Sequence, residues 1–163
     1  MFTVTPLAIS AKKDILDLEA RSAPDVPYYY RYVNDVSALD YIFQHPDICQ
    51  AFGVYENNVL VGWGSYRSGW AGQNIKGPGI FEISSIVVDI AYRRKGIGKM
   101  LLKRIIQELL SKSDCHTIYL TVFPGNTSAL MLYLSEGFEI YDYKKDLYGP
   151  GVHRVYLQYK TKQ

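Results

Sequence analysis

The stretch at residues 93–99, Arg-Arg-Lys-Gly-Ile-Gly-Lys, constrains this chain more than any other. It follows an apolar run at residues 80–88 and opens an amphipathic stretch at 98–112, an order that reads as strand, tight glycine loop and helix. Two glycines one residue apart let the backbone turn sharply and present several N–H groups with no Cβ in the way. The helix that follows aims the positive end of its dipole at the same place. Between Asp89 and Glu108 the charged residues are Arg93, Arg94, Lys95, Lys99, Lys103 and Arg104, and none is acidic. A phosphorylated anion suits such a loop.

Two familiar nucleotide motifs are excluded by position. A P-loop needs a glycine five residues before its Gly-Lys pair and a Ser or Thr after the lysine; here Arg93 and Met100 stand there. A dinucleotide fingerprint needs a third glycine, where this chain has Leu101. The net charge of +2 is too small to suggest nucleic acid, and the basic cluster is local. The expected partner is therefore a phosphorylated small molecule, with no nucleic acid and no membrane. Cys49 and Cys115 have no metal or redox spacing and read as reduced thiols of a cytoplasmic protein. No run of apolar residues reaches a membrane span, and no leader pattern opens the chain. Residues 1–163 are read as one domain, monomeric or homodimeric. His45, His116 and His153 match no ligand spacing, so no metal site is expected.

Residues 2–9 read as an edge strand interrupted by Pro6, and Ser10 as the cap of a helix at 11–20 with Ile15, Leu16 and Leu18 on its apolar side. Residues 23–32 carry two prolines and four tyrosines, and either line a substrate groove or pack over the core edge. Ser37 and Asp40 open a second helix through about Gln44. Residues 48–55 and 59–67 form a hairpin turned by Glu56, Asn57 and Asn58. The glycine-rich stretch 68–79, with Trp70, is a loop. In the helix after the glycine loop, Ile97, Leu101, Ile105 and Leu109 form a stripe that packs on a sheet. A strand at 117–123 follows, then a helix capped by Asn126 and stopped by Gly137, then strands at 138–148 and 152–159.

Two motifs in this order carry a resemblance. Arg93-x-x-Gly96-x-Gly98, followed by Asn126-x-x-Ala129-x-x-Leu132-Tyr133-x-x-x-Gly137-Phe138, resembles the GCN5-related N-acetyltransferase (GNAT) family. The resemblance is specific over residues 82–138 and rests on element order elsewhere. It implies a mixed α/β (α+β) fold: a mostly antiparallel, twisted sheet of about seven strands flanked by about four helices. The strands ending at Val88 and before Pro124 are then parallel and splayed.

The resemblance further implies acetyl-CoA as co-substrate. Its pyrophosphate would lie on the amides of Arg94, Lys95, Gly96, Ile97, Gly98 and Lys99, with Arg93 at the loop's start. Its pantetheine arm would pair with Ile86, Val87 and Val88 like an added strand. Asn126 either touches the cofactor or only caps its helix. The implied reaction is direct attack by a primary amine through a tetrahedral intermediate, with no enzyme nucleophile. An alkylamine of pKa about 10.4 is neutral in roughly four molecules per ten thousand at pH 7, so supplying the neutral form is worth about 4–5 kcal/mol.

Glu82 stands where many relatives carry the base, and its plainer role is a salt bridge. The alternative carboxylate position, on the next strand, holds Thr121. Tyr133 matches the general acid toward the departing thiolate, and its plainer role is packing. Two departures from the usual loop are Ile90 where proline is common and Arg94 where glycine is common. Three functions compete: an N-acetyltransferase on a small-molecule or peptide amine, a non-catalytic acyl-CoA-binding sensor, and a nucleic-acid-binding domain.

Overall fold

The computed structural model describes residues 1–22, 36–69 and 77–161. The tyrosine-rich stretch at 23–32 and the Trp70 loop through residue 76 lie outside the described residues. Seven strands and four α-helices are found among those described: β1 (Val4–Pro6), α1 (Lys12–Ser22), α2 (Val36–Gln44), β2 (Cys49–Glu56), β3 (Val59–Ser68), β4 (Ile80–Val88), α3 (Ile97–Leu110), β5 (Thr117–Val122), α4 (Thr127–Ser135), β6 (Glu139–Lys144) and β7 (Arg154–Lys160). The strands are hydrogen-bonded in the order β1-β2-β3-β4-β5-β7-β6. Pairing is antiparallel at β1–β2, β2–β3, β5–β7 and β6–β7 and parallel at β4–β5. The parallel ladder joins Ile80 to Thr117, Phe81 to Ile118 and Glu82 to Tyr119, and goes no further along either strand. This is the fold that the motifs implied.

By backbone contacts the chain divides into two compact units, residues 1–67 with 83–107 and residues 68–82 with 108–163. In the first, β2 and β3 are joined by Asn57 and Asn58 alone, at φ 50° and 64°. Both are left-handed, as the tight hairpin turn requires, and asparagine tolerates that better than most residues. Ile97, Leu101, Leu102 and Ile105 of α3 are at most 1% exposed, and burial of each is worth roughly 1.5–3 kcal/mol.

Two glycines of β3 admit the helix. A methyl group at Gly62 would lie 2.6 Å from Ile97 Cγ2, and one at Gly64 would lie 2.9 Å from Ser85 O and 3.1 Å from Ile105 Cδ1. Helix and strand approach because neither position carries a Cβ.

Helix α1 begins differently from the sequence expectation. Ser10 does not cap it: the chain enters through a 3-10 turn at Ile9–Ala11, in which Ala11 N–H donates to Ala8 O. In the same turn Lys12 N–H donates to Ile9 O, which satisfies an amide that a Ser10 cap would otherwise serve. Ile15 and Leu18 are fully buried as expected, in a core with Leu39, Ile42, Ala51, Leu60 and Trp63.

In the second unit, β5 alternates between buried Ile118, Leu120 and Val122 and half-buried Thr117, Tyr119 and Thr121. Gly79, at φ +76°, accepts from His116 N–H at 2.8 Å and Thr117 N–H at 3.2 Å through its carbonyl. Helix α4 is capped by Asn126, whose Oδ1 accepts from Ala129 N–H, and Gly137 ends it at φ +95°. Strands β6 and β7 are shorter than expected, and a wider turn with Asp146 at φ +53° joins them.

Cys49 and Cys115 are free, and burial pushes each thiol up to about 11. Burial likewise raises the Tyr133 phenol to about 12. All three are acids whose ionised form the fold disfavours. Their contribution is therefore complete below the unfolded values of 9.0 and 10.0, and is lost as pH climbs through 11 and 12. The urea midpoint should hold up to about pH 9 and decline steadily above it; a midpoint flat to pH 11 would contradict these shifts.

Candidate active site

Between β4 and α3 the chain makes a 3-10 turn at Ile90–Tyr92, capped by Asp89, whose Oδ1 accepts from Ala91 N–H. The loop then runs through two left-handed residues, Arg94 at φ +63° and Gly96 at φ +82°. Gly98 is not one of them. It is the second residue of α3, so the sharp turn rests on Gly96 and on an arginine held where glycine is easier. The first helical bond runs from Met100 N–H to Gly96 O, which places the amides of Ile97 and Gly98 in the first turn, ahead of the helical ladder. A methyl group on Gly96 would meet no described atom within 4 Å, so its Cβ side is open. Gly96 and those amides therefore make a cradle of the kind a phosphate fills.

The basic side chains do different things. Arg93 turns its guanidinium back onto the chain, donating from Nε to Val88 O at 3.3 Å and from Nη2 to Ser22 O at 2.9 Å. Beside it, Arg21 Nε donates to Asp89 Oδ2 at 2.6 Å, and its Nη2 donates to Leu60 O. Arg21 and Arg93 thus clasp the end of α1 to the start of the loop. Sequence reading missed Arg21 and Asp89, which lie 68 residues apart. The Lys95 ammonium sits over the Tyr92 ring, 4.5 Å from its centroid. Arg94, Lys95 and Lys99 are exposed. Ile86, Val87 and Val88 end β4 on the same unit as the loop, with Val87 buried and the other two half-buried.

Glu82, Asn126 and Tyr133 belong to the second unit. Glu82 is 7% exposed and is the register partner of Tyr119, itself the partner of Gln158. Tyr133, 8% exposed, packs edge-on against Phe138 at 5.9 Å, and Phe138 in turn meets Tyr159. Tyr159 pairs with Ile118, one residue out of phase with the Tyr119–Gln158 row. Because side chains alternate across a strand, Glu82 and Tyr159 lie on opposite faces of this part of the sheet. Asn126 performs the capping role that its plainer reading gave it.

A family model described as the Acetyltransferase (GNAT) family matches residues 13–138. The chain belongs to the GNAT family. Curated GNAT relatives include the spermine/spermidine N(1)-acetyltransferase of Bacillus subtilis, 33% identical over 53% of this chain and 57% of the relative. The [ribosomal protein bS18]-alanine N-acetyltransferase of Escherichia coli is 38% identical over 39% of this chain and 43% of the relative. The chain thus spans about half the length of the curated relatives it matches.

Solved structures carry the fold across the whole length. An N-acetyltransferase from Staphylococcus aureus matches with a TM-score of 0.81 at 18% identity, covering 99% of both chains. The PaiA N-acetyltransferase of Thermoplasma acidophilum in complex with coenzyme A matches with a TM-score of 0.74 at 17% identity, covering 99% of both. Within this GNAT chain no helix among the described residues is long and apolar enough to cross a membrane.

Proposed function

We propose that this chain is an N-acetyltransferase that moves the acetyl group of acetyl-CoA to a primary amine by direct attack, acting as one catalytic domain. The observation that carries the reading is the cradle at Gly96, with its open Cβ side, the backbone amides at the start of α3 and a neighbourhood of basic side chains. Bound acetyl-CoA supplies an acyl group already activated as a thioester. Gly96, Ile97, Gly98 and Lys99 hold the pyrophosphate through their amides, and Arg94 and Lys95 add charge at the rim. Ile86, Val87 and Val88 offer backbone groups to the pantetheine arm, and one N–H there faces the acyl oxygen. Asn126 keeps its cap and offers its amide to the same ligand.

Glu82 accepts the proton that an arriving ammonium must lose. Tyr133 donates a hydrogen bond toward the thiolate side. At a pKa of about 12 its phenol is a poor proton donor to a thiol near 8.5, the transfer being uphill by about 5 kcal/mol. Hydrogen bonding, not full transfer, is its role. Neither buried thiol, each near 11, competes as a nucleophile. Reduced thiols also fit a cytoplasmic setting. The relatives acting on spermine/spermidine and on a ribosomal-protein alanine make a polyamine and a protein N-terminal amine the acceptors to try first.

The test is titration calorimetry with acetyl-CoA, followed by CoA release with spermidine and with an alanine-ended peptide. Gly96→Ala should weaken acetyl-CoA by about tenfold or more. The left-handed φ of +82° sets its folding cost at about 1–2 kcal/mol, and no more, since the added methyl meets no described atom. Unchanged affinity in a folded Gly96→Ala protein would place the cofactor elsewhere. Binding without CoA release from any amine would return the chain to the sensor reading.

A further inference from the structure

An acidic residue stands at the foot of the glycine loop, where an anion site least tolerates an uncompensated negative charge. Asp89 is 9% exposed, and each of its polar groups is engaged. Its N–H donates to Val61 O at 3.0 Å, and its carbonyl accepts from Tyr92 N–H at 2.8 Å. Its Oδ1 accepts from Ala91 N–H at 3.0 Å, and its Oδ2 accepts from Arg21 Nε at 2.6 Å. One residue thereby ties β3, the 3-10 turn and the end of α1 together.

Arg21 serves two acceptors at once. Its fork reaches Asp89 through Nε and Leu60 O through Nη2, from the last turn of α1, where a cation also offsets the helix dipole. Arg93 answers from the loop side, donating to Ser22 O at the same helix end and to Val88 O. The next residue, Arg94, is the non-glycine held at φ +63°. Such a residue stays left-handed only where its surroundings over-determine it. The clasp lies just before Arg94 in the chain, and Gly96 and the α3 amides lie just after. All of these groups belong to the first compact unit.

We infer that Arg21 and Asp89 are positioning residues of the cofactor loop, fixing its left-handed turn before a ligand arrives so that the cradle amides meet the pyrophosphate already aligned. The identity of that ligand rests on the acyltransferase reading; the hold on the loop does not. Both residues act through the backbone, not on the ligand itself. A preformed loop binds more tightly because the cost of ordering it is met during folding. The charges of Arg21 and Asp89 cancel beneath the loop, which leaves the anion to the amides and to the rim cations Arg94 and Lys95.

Asp89→Asn separates positioning from charge. It keeps an oxygen for Ala91 N–H and removes a negative charge beside an anion site, so electrostatics alone predicts tighter acetyl-CoA. Positioning predicts weaker binding, by about three- to tenfold, because Arg21 loses its carboxylate. Arg21→Met should weaken acetyl-CoA by about tenfold, and Arg21→Lys, which still offers Asp89 a cation, by clearly less. Pantetheine has the arm but no phosphate, and should bind all four proteins alike in saturation-transfer NMR. Tighter or unchanged acetyl-CoA in Asp89→Asn overturns the inference, and so does a parallel loss of pantetheine, the mark of general damage. If Asp89→Asn fails to fold, the two Arg21 variants decide, since equal affinities in them overturn it too.

A ligand-free measurement keeps the two readings apart. Hydrogen exchange of the Met100 amide, which is bonded to Gly96 O, should quicken about tenfold in Asp89→Asn and Arg21→Met. The matching bond of α4, from Leu130 N–H to Asn126 O, should be unmoved. Quickened exchange at Met100 in a protein that binds no acetyl-CoA sinks the acyltransferase reading alone. Acetyl-CoA bound by the wild-type protein, with Met100 exchange unchanged in both variants, sinks the positioning role alone.

Discussion

Glu82→Gln should lose about two to four orders of magnitude of activity at neutral pH and regain part of it as pH rises. The amine to be acetylated arrives almost wholly protonated, and a neutral amide cannot take that proton. Raising the pH toward the amine's own pKa supplies the neutral form without help, so the variant's deficit should shrink roughly tenfold per pH unit until another step limits.

Tyr133→Phe should fail in another way. It keeps the ring against Phe138 and removes only the hydroxyl. Turnover should drop by about tenfold to a hundredfold with little change in acetyl-CoA affinity. Burial holds the phenol near 12, so the wild-type hydroxyl stays a donor throughout the assay range, and higher pH cannot restore what the variant lacks. Initial rates from about pH 6.5 to 9.5 for the three proteins separate the roles. A Glu82→Gln profile parallel to wild type would move the base elsewhere, and full turnover in Tyr133→Phe would reduce that residue to packing.

The largest effect on folding is expected at Gly79. An added methyl group there would lie 2.1 Å from Asp114 O and 2.3 Å from the His116 ring, at a left-handed φ of +76°. A backbone oxygen cannot swing away like a side chain. The carbonyl that holds His116 and Thr117 N–H would have to shift as well. Gly79→Ala should therefore cost about 3–5 kcal/mol, a large part of a typical domain's stability. Gly96→Ala, similarly left-handed but with open space, serves as the control at about 1–2 kcal/mol. Thermal unfolding of both should show Gly79→Ala lower by several degrees more. Equal melting points would mean that the Asp114–His116 turn relaxes freely.

What the sequence made legible was local. The glycine loop, the Asn57-Asn58 turn, the Asn126 cap and the Gly137 stop are each decided within a few residues, and each is found in the structure. What it hid depends on register. Gly62 and Gly64 look like weaknesses in a strand until α3 is seen against them. Arg21, Asp89 and Arg93 come from a helix end, a strand end and a loop, and nothing in the sequence joins them before the fold does. Even the loop was read with its strain misplaced, because Gly98 looks like a turn residue until the helix is seen to start before it.

The clasp at the end of α1 has a consequence for how this protein can be cut. Trypsin must take an arginine side chain into its own specificity pocket, but that of Arg21 is held by Asp89 and Leu60 O, and the carbonyl of Ser22 is held by Arg93. Cleavage after Arg21 must wait until both arginines let go. The rate at which a protease nicks that bond is then a clock for the opening of the clasp between α1 and the glycine loop.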